Sequence, residues 1–259
     1  MVSHGIQKLN STSRTGLQAL KAAAGLGSRR VMTSHISFAL GPRINAAGRL
    51  GRADNAVKLL LEEDPARAAE LAEGLNRENR SRQQIEALIL AEAREMIEND
   101  PSLLDDSILV LSSPTWHSGV IGIVASKLAE QHDRPSILIS TSAEPGKGSA
   151  RSVPGFDLYS CLQRCRHLLE SFGGHSYAAG LSIRGEKIVA LRTMLNHCER
   201  PDGRATGERP ILEVDARIAF HNLRAPLLKE LRLLMPFGNT NPAPKFITEG
   251  VLLAKSPRV

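Results

Sequence analysis

The chain has 259 residues, of which 42% are hydrophobic and 23% charged; this excludes a disordered polymer and suits one large or two small domains. Lys and Arg (33) outnumber Asp and Glu (27), so a polyanion is a natural partner, although a surplus of +6 names no site. No apolar run approaches the ~18 residues that span a bilayer, and residues 1–30 lack a signal-peptide core. A cytoplasmic protein with no membrane partner is expected.

Residues 1–40 read as short helical and irregular pieces, with Gly16–Ala24 the clearest helix and no cap near Val2. Gly41-Pro42-Arg43-Ile44-Asn45-Ala46-Ala47-Gly48-Arg49-Leu50 sets Gly, Pro and Asn around small residues, which predicts a turn entering a helix. Asn55–Leu61 is apolar with helical period. Asp64 as N-cap and Pro65 at the first helical position begin a longer helix that meets no further Pro before Glu98. Its middle, Asn76–Gln84, is polar all round, as in a connector between domains.

After Asn99-Asp100-Pro101 the rhythm changes. Apolar strands are expected at Ile108–Leu111, Pro135–Ser140, Gly148–Val153 and Gly180–Ile183. Between and after them, helices are expected at Gly119–Glu130, Asp157–Ser171 and Glu186–Cys198, an alternation that indicates an α/β domain from about residue 105 to 200. Residues 200–209 read as a polar linker. Ile211–Phe220 and Phe246–Ala254 read as strands around a helix at Asn222–Met235 and a turn-rich loop at Pro236–Pro242. Two strands are too few for a domain, so this segment is expected to be incomplete, and the chain ends at Pro257-Arg258-Val259 as if cut.

Lys147 and Gly148-Ser149-Ala150-Arg151-Ser152 set two hydroxyls and a guanidinium on backbone that a ligand can approach. The planar fork of Arg matches two phosphate oxygens at once. Phe172-Gly173-Gly174-His175 reads as a helix stop whose bared N–H groups face an anion, with His175 able to donate to phosphate or move a proton. Trp116-His117-Ser118-Gly119 reads as a strand-to-helix turn with Trp116 a buried anchor, Ser118 the N-cap and His117 open to a ligand. Arg43 and Arg49 flank Asn45. Taken singly, each has a plainer reading: a surface turn, a glycine helix stop, a solvated basic helix start. Arg77–Arg82 reads as a solvated helix face.

Cys161 and Cys165 share one helix face, and with Cys198 they read as free thiols, since no His or Cys completes a zinc set. No Asp-x-Asp or Asp-His-His cluster could hold Mg²⁺ or Mn²⁺, and Asp105-Asp106 reads as a cap or turn. No metal ligand is identified.

In order, Gly41–Arg49, His117-Ser118-Gly119-Val120-Ile121-Gly122-Ile123, Lys147–Ser152, Phe172–His175 and Pro236-Phe237-Gly238 resemble the RecJ single-stranded-DNA-specific exonucleases of the DHH/DHHA1 phosphoesterase superfamily. The resemblance implies an α/β protein in four parts. Residues 1–62 would be the C-terminal remnant of a DHH domain, 63–102 a long connecting helix, 103–200 a DHHA1 domain, and 205–259 the start of a β-rich oligonucleotide-binding (OB) domain.

It also implies 5′-to-3′ hydrolysis of single-stranded DNA with Mn²⁺ or Mg²⁺ held by DHH motifs that would precede Met1. A truncated chain, or one product of a split gene whose DHH half is a missing partner, would be inactive alone. What carries over is substrate grip: Arg49, Ser149, Arg151 and the turn Gly173-Gly174-His175 around the terminal phosphate, His175 being the catalytic candidate. Arg43, Asn45 and His117 are secondary candidates. The alternatives are a non-catalytic single-stranded nucleic-acid-binding module and a small-substrate DHH phosphodiesterase. Against the latter stands the Pro236-Phe237-Gly238 region, because such enzymes typically stop at DHHA1.

Overall fold

A computed structural model of the chain describes residues 1–51, 53–198, 212–238, 240–252 and 255. In chain order the elements are α1 (Val2–Asn10), α2 (Thr15–Ala23), α3 (Thr33–His35), α4 (Gly41–Leu50), α5 (Ala53–Leu61) and α6 (Pro65–Asn99). Then come β1 (Leu109–Ser113), α7 (Ile121–His132), β2 (Ser136–Ser140), β3 (Gly146–Arg151), α8 (Leu158–Arg164), β4 (Leu169–His175), β5 (Ala178–Ile183) and α9 (Ile188–Leu195). β6 (Ala216–Arg217), α10 (Ala225–Leu233) and β7 (Phe246–Ile247) follow. They form two compact units, one of Met1–Ile44, Asn55–Gly74 and Ile211–Val259, the other of Asn45–Asp54 and Leu75–Pro210.

In the first unit Asn10 ties α1 down, exchanging hydrogen bonds with the Val31 backbone at 2.7 and 3.0 Å. The turn expected before Arg43 is absent. A π-helical turn at Ile36–Leu40 runs straight into α4. The widened turn lies just before Pro42, where the ring would otherwise meet a carbonyl of an ordinary α-turn. The helix expected at residue 64 starts as read, with the Arg67 N–H donating to Asp64 Oδ1 at 2.7 Å.

The middle of α6 is polar all round but not solvated all round. Asn76, Asn79 and Glu86 are buried at helical spacing, and Arg82 is no solvated cation. Its guanidinium reaches Glu86 at 2.5 Å and Asn79 at 3.0 Å, and Lys127 of α7 meets the same Glu86 at 2.5 Å. A buried polar stripe of this kind must be internally paired, which the sequence pattern alone could not register.

The second unit is built on a five-stranded sheet in the order β1-β2-β3-β5-β4, parallel between β1 and β2 and antiparallel elsewhere. Side chains alternate between its faces. Val110, Ile137, Ile139, Ala150, Ala179 and Leu181 pack on one face with Leu158 and Leu162 of α8 and Leu191 and Leu195 of α9. Leu109, Leu111 and Leu138 pack on the other with α7 and with Ile89, Ala93 and Ile97 of α6. Cys161, Cys165 and Cys198 are free and buried in the first of these cores.

The register draws two rows across that second face: Leu111-Leu138-Ser149-Gly180-Gly173 and Leu109-Ser136-Arg151-Ala178-His175. Each row is aliphatic at the β1 end and small or polar at the β4 end. A Cβ on Gly173 would find nothing within 4 Å, and one on Gly180 only the Gly148 carbonyl at 4.0 Å. That part of the sheet is open.

Several boundaries differ from the sequence expectation. The helix read at Asp157–Ser171 ends at Arg164; after a short 3₁₀ turn the chain becomes the edge strand β4. Gly173 and Gly174 therefore lie in a strand and not in a helix-stopping turn. Gly174, at φ 149°, is required because a Cβ would stand 2.3 Å from the Ala178 carbonyl. The expected strands Ile211–Phe220 and Phe246–Ala254 shrink, among the described residues, to a parallel pair of two residues each. The expected linker 200–209 lies outside the described residues.

Candidate phosphate-binding site

The loop from β1 to α7 is fixed by a carboxylate. Glu92 of α6 accepts the hydroxyls of Ser113 and Thr115 at 2.7 and 2.8 Å. Burial alone would raise the Glu92 carboxyl, but these bonds and the neighbouring Trp116 indole outweigh it and hold its pKa below the usual value. Trp116 is buried as the anchor of the turn. Ser118 is not the N-cap: α7 starts at Ile121, and the His117 carbonyl accepts the N–H groups of both Val120 and Ile121.

At this turn two glycines let other parts of the chain approach. The Arg49 carbonyl oxygen lies where a side chain on Gly119 would place its Cβ, 2.3 Å away, and the Arg49 guanidinium donates to the Gly119 carbonyl at 3.1 Å. One turn on, a Cβ on Gly122 would stand 2.7 Å from Ser149 Oγ and 2.8 Å from Arg151 Nη2. Arg151 donates to Ser149 Oγ at 3.0 Å and to its neighbour's carbonyl at 2.7 Å. Arg49 thus meets the loop that leads into α7, and Ser149 and Arg151, a hundred residues later in the sequence, meet its first turn.

Burial, and after it the like charge of Arg49, lower the pKa of the Arg151 guanidinium. Among the described residues no carboxylate pairs with either arginine. Two neighbouring cations beside the positive end of a 12-residue helix are the arrangement that a bound anion would favour.

Comparison with known proteins shows what the chain is similar to. Residues 105–200 match the DHHA1 domain. The chain is 38% identical over 253 residues to the single-stranded-DNA-specific exonuclease RecJ of Bacillus subtilis (strain 168), covering 96% of this chain and 32% of that protein. It is 32% identical over 250 residues to RecJ of Thermus thermophilus, covering 96% and 35%. The crystal structure of the Thermus RecJ in complex with Mn²⁺ superposes with a TM-score of 0.82 at 31% identity, over 95% of this chain and 36% of that one; the complex with Mg²⁺ gives 0.79.

Over nearly its whole length the chain is similar to the RecJ exonucleases. It spans about a third of the length of these two relatives.

Of the residues that the RecJ resemblance singles out, Arg49, Ser149 and Arg151 converge as described. His117 is exposed beside them, its Nδ1 accepting the Gly119 N–H at 3.1 Å, so that Nε2 is the outward nitrogen. His175 and Gly173 lie on the same sheet face, with Ala178 and Gly180 between them and β3. His175 Nδ1 accepts the Tyr177 N–H at 3.3 Å, again leaving Nε2 outward. Gly174 belongs to the opposite face. Asn45 is exposed on α4, and Arg43, in the other unit, donates to the Ala39 carbonyl of its own helix at 2.7 Å.

Gly119 and Gly122 stand in the His117–Ile123 motif, but sequence reasoning assigned neither of them a role at the site. The available signal was a pair of glycines three apart at a helix start, where nothing in the helix itself needs them. Among the described residues no helix is long and apolar enough to cross a membrane.

Proposed function

We propose that residues 1–259 carry the substrate-gripping half of a RecJ-type 5′-to-3′ exonuclease acting on single-stranded DNA. The observation behind this reading is the close placement of Arg49 and Arg151, with Ser149 between guanidinium and helix, and no carboxylate on either among the described residues. Like charges held together repel, and a terminal phosphate relieves both through charge-assisted hydrogen bonds. The first turn of α7 adds its dipole. His175, with Gly173 beside it and Gly174 holding β4 close to β5, contacts the strand further along. When the phosphodiester is attacked, these cations stabilise the charge that gathers on the phosphoryl oxygens. Asn45 and His117 are secondary contacts in this reading.

The related crystal structures contain Mg²⁺ or Mn²⁺. The residues gathered here do not fit such an ion: the donors are guanidiniums, a hydroxyl and exposed imidazoles. Among the described residues no group of three His, Cys, Asp or Glu side chains could hold a metal. We assign no step through a metal to this chain. In this reading residues 1–62 are DHH-derived, 63–102 the connector, 103–200 DHHA1 and 205–259 OB-like.

The test is to incubate residues 1–259 with Mn²⁺ and 5′-phosphorylated single-stranded DNA. Binding without nucleotide release is expected, and Arg151→Ala should weaken it. EDTA-sensitive release would overturn the assignment of grip without catalysis. Binding indifferent to Arg151→Ala would overturn the grip itself.

A further inference from the structure

Tyr177 sits one step beyond Arg151 in the ladder between β3 and β5. Arg151 pairs with Ala178, and the Tyr177 carbonyl accepts the N–H of Ser152 at 2.9 Å. Its own N–H donates to His175 Nδ1 at 3.3 Å, and the preceding carbonyl, of Ser176, accepts the Leu158 N–H at 3.3 Å. The backbone of this tight turn is therefore held from three directions. With strands ~4.8 Å apart and residues ~3.4 Å apart, the Tyr177 backbone lies about 6 Å from that of Arg151.

The side chain on this fixed base is 63% exposed. Its ring lies 6.2 Å, centroid to centroid, from the imidazole of His175, which belongs to the open face of the sheet. The other aromatics of the domain are placed differently: Tyr159 packs against Phe172 at 5.6 Å, and Trp116 and Phe156 are buried. One row on from His175, Gly173 and Gly180 add no side chain to the open face. An aromatic ring on a rigid backbone, wet on most of its surface and beside an imidazole, has the properties of a stacking platform, because every base offers a π-face.

We propose that Tyr177 stacks against the nucleobase of the nucleotide whose phosphate is held by Arg49, Ser149 and Arg151. The proposal rests on the phosphate-grip reading and adds to it a contact that is indifferent to base identity. The face of the ring lies against the face of the base.

The probe is a 5′-phosphorylated oligothymidylate carrying a 3′ fluorophore, titrated with residues 1–259 and followed by anisotropy. Tyr177→Ala should weaken binding about tenfold, and Tyr177→Trp should retain it with quenching of the new indole on saturation. On the same oligonucleotide with an abasic 5′ nucleotide, wild type and Tyr177→Ala should bind alike. Equal binding of wild type and Tyr177→Ala to the intact oligonucleotide, while Arg151→Ala still weakens it, would overturn the stacking and leave the phosphate grip standing. A Tyr177→Ala defect that persists on the abasic oligonucleotide would also overturn it, by showing a structural role in the turn. Loss of any Arg151→Ala effect would remove the reading on which the proposal rests.

Discussion

A Cβ added to Gly122 would stand 2.8 Å from the guanidinium nitrogen Nη2 of Arg151 and 2.7 Å from Ser149 Oγ. Both obstacles are side-chain ends, so Gly122→Ala should be accommodated by swinging Arg151 away with little loss of stability. The expected result is a melting temperature close to wild type and affinity for 5′-phosphorylated single strands reduced about tenfold, the size of one displaced charge-assisted contact. Gly119→Ala is different in kind. Its Cβ meets the Arg49 backbone carbonyl at 2.3 Å, so the backbone must move and about 1–3 kcal/mol of stability should be lost. Thermal melts of the two variants, run beside binding titrations, separate the effects.

The open face makes the opposite kind of prediction. A Cβ on Gly173 meets no atom within 4 Å, and valine suits a strand. Gly173→Val should therefore fold as well as wild type while standing in the path of the DNA. Unchanged melting with at least severalfold weaker binding is expected; unchanged binding would mean that the strand does not cross this face.

The limits of sequence reading are clearest at β4. Leu168, Leu169 and Phe172 are spaced as on a helix, and the double glycine after them looks like a helix stop. The strand pattern is masked because β4 is an edge strand with a register irregularity between Leu169 and Ser171, and its pairing with β5 is a tertiary fact. β2, by contrast, is buried on both faces and reads directly as an apolar run, and α6 is announced by its Asp64 cap and Pro65. Arg49 was legible as a candidate only through its surrounding motif. Its proximity to Arg151 depends on two glycines whose purpose emerges only in three dimensions. The buried stripe of Asn76, Asn79 and Glu86 was invisible, because polar residues announce solvent unless their partners are known.

Glu92 supplies a pH dependence. Its pKa is lower in the folded chain than in the unfolded one, so its stabilising effect is complete above the ordinary carboxylate range and fades as pH falls through the lowered value. Glu92→Gln should reduce stability near pH 7 and approach wild type in acid. Denaturant titrations from pH 7 to pH 3 check this, and a stability difference that stayed constant across that range would contradict it.

The thiols test the core. The Cys161 thiol donates to Cys198, which raises the first and lowers the second to about 7, while burial pushes Cys165 up to about 11. A pKa near 7 would make an exposed Cys198 reactive, but only 2% of it is accessible. Labelling with a water-soluble disulfide reagent at pH 8 should be slow for all three thiols in the native protein and complete within minutes in denaturant. Rapid native labelling of Cys198 would show that the α9 end opens.

The central claim is that Arg151 grips a terminal phosphate. Its most direct test is a four-point cycle: wild type and Arg151→Ala, each titrated with 5′-phosphorylated and 5′-hydroxyl forms of one single strand at fixed salt. The phosphate should tighten wild-type binding about tenfold and have almost no effect on Arg151→Ala. An equal preference for the phosphate in both proteins, or no preference in either, would contradict the account.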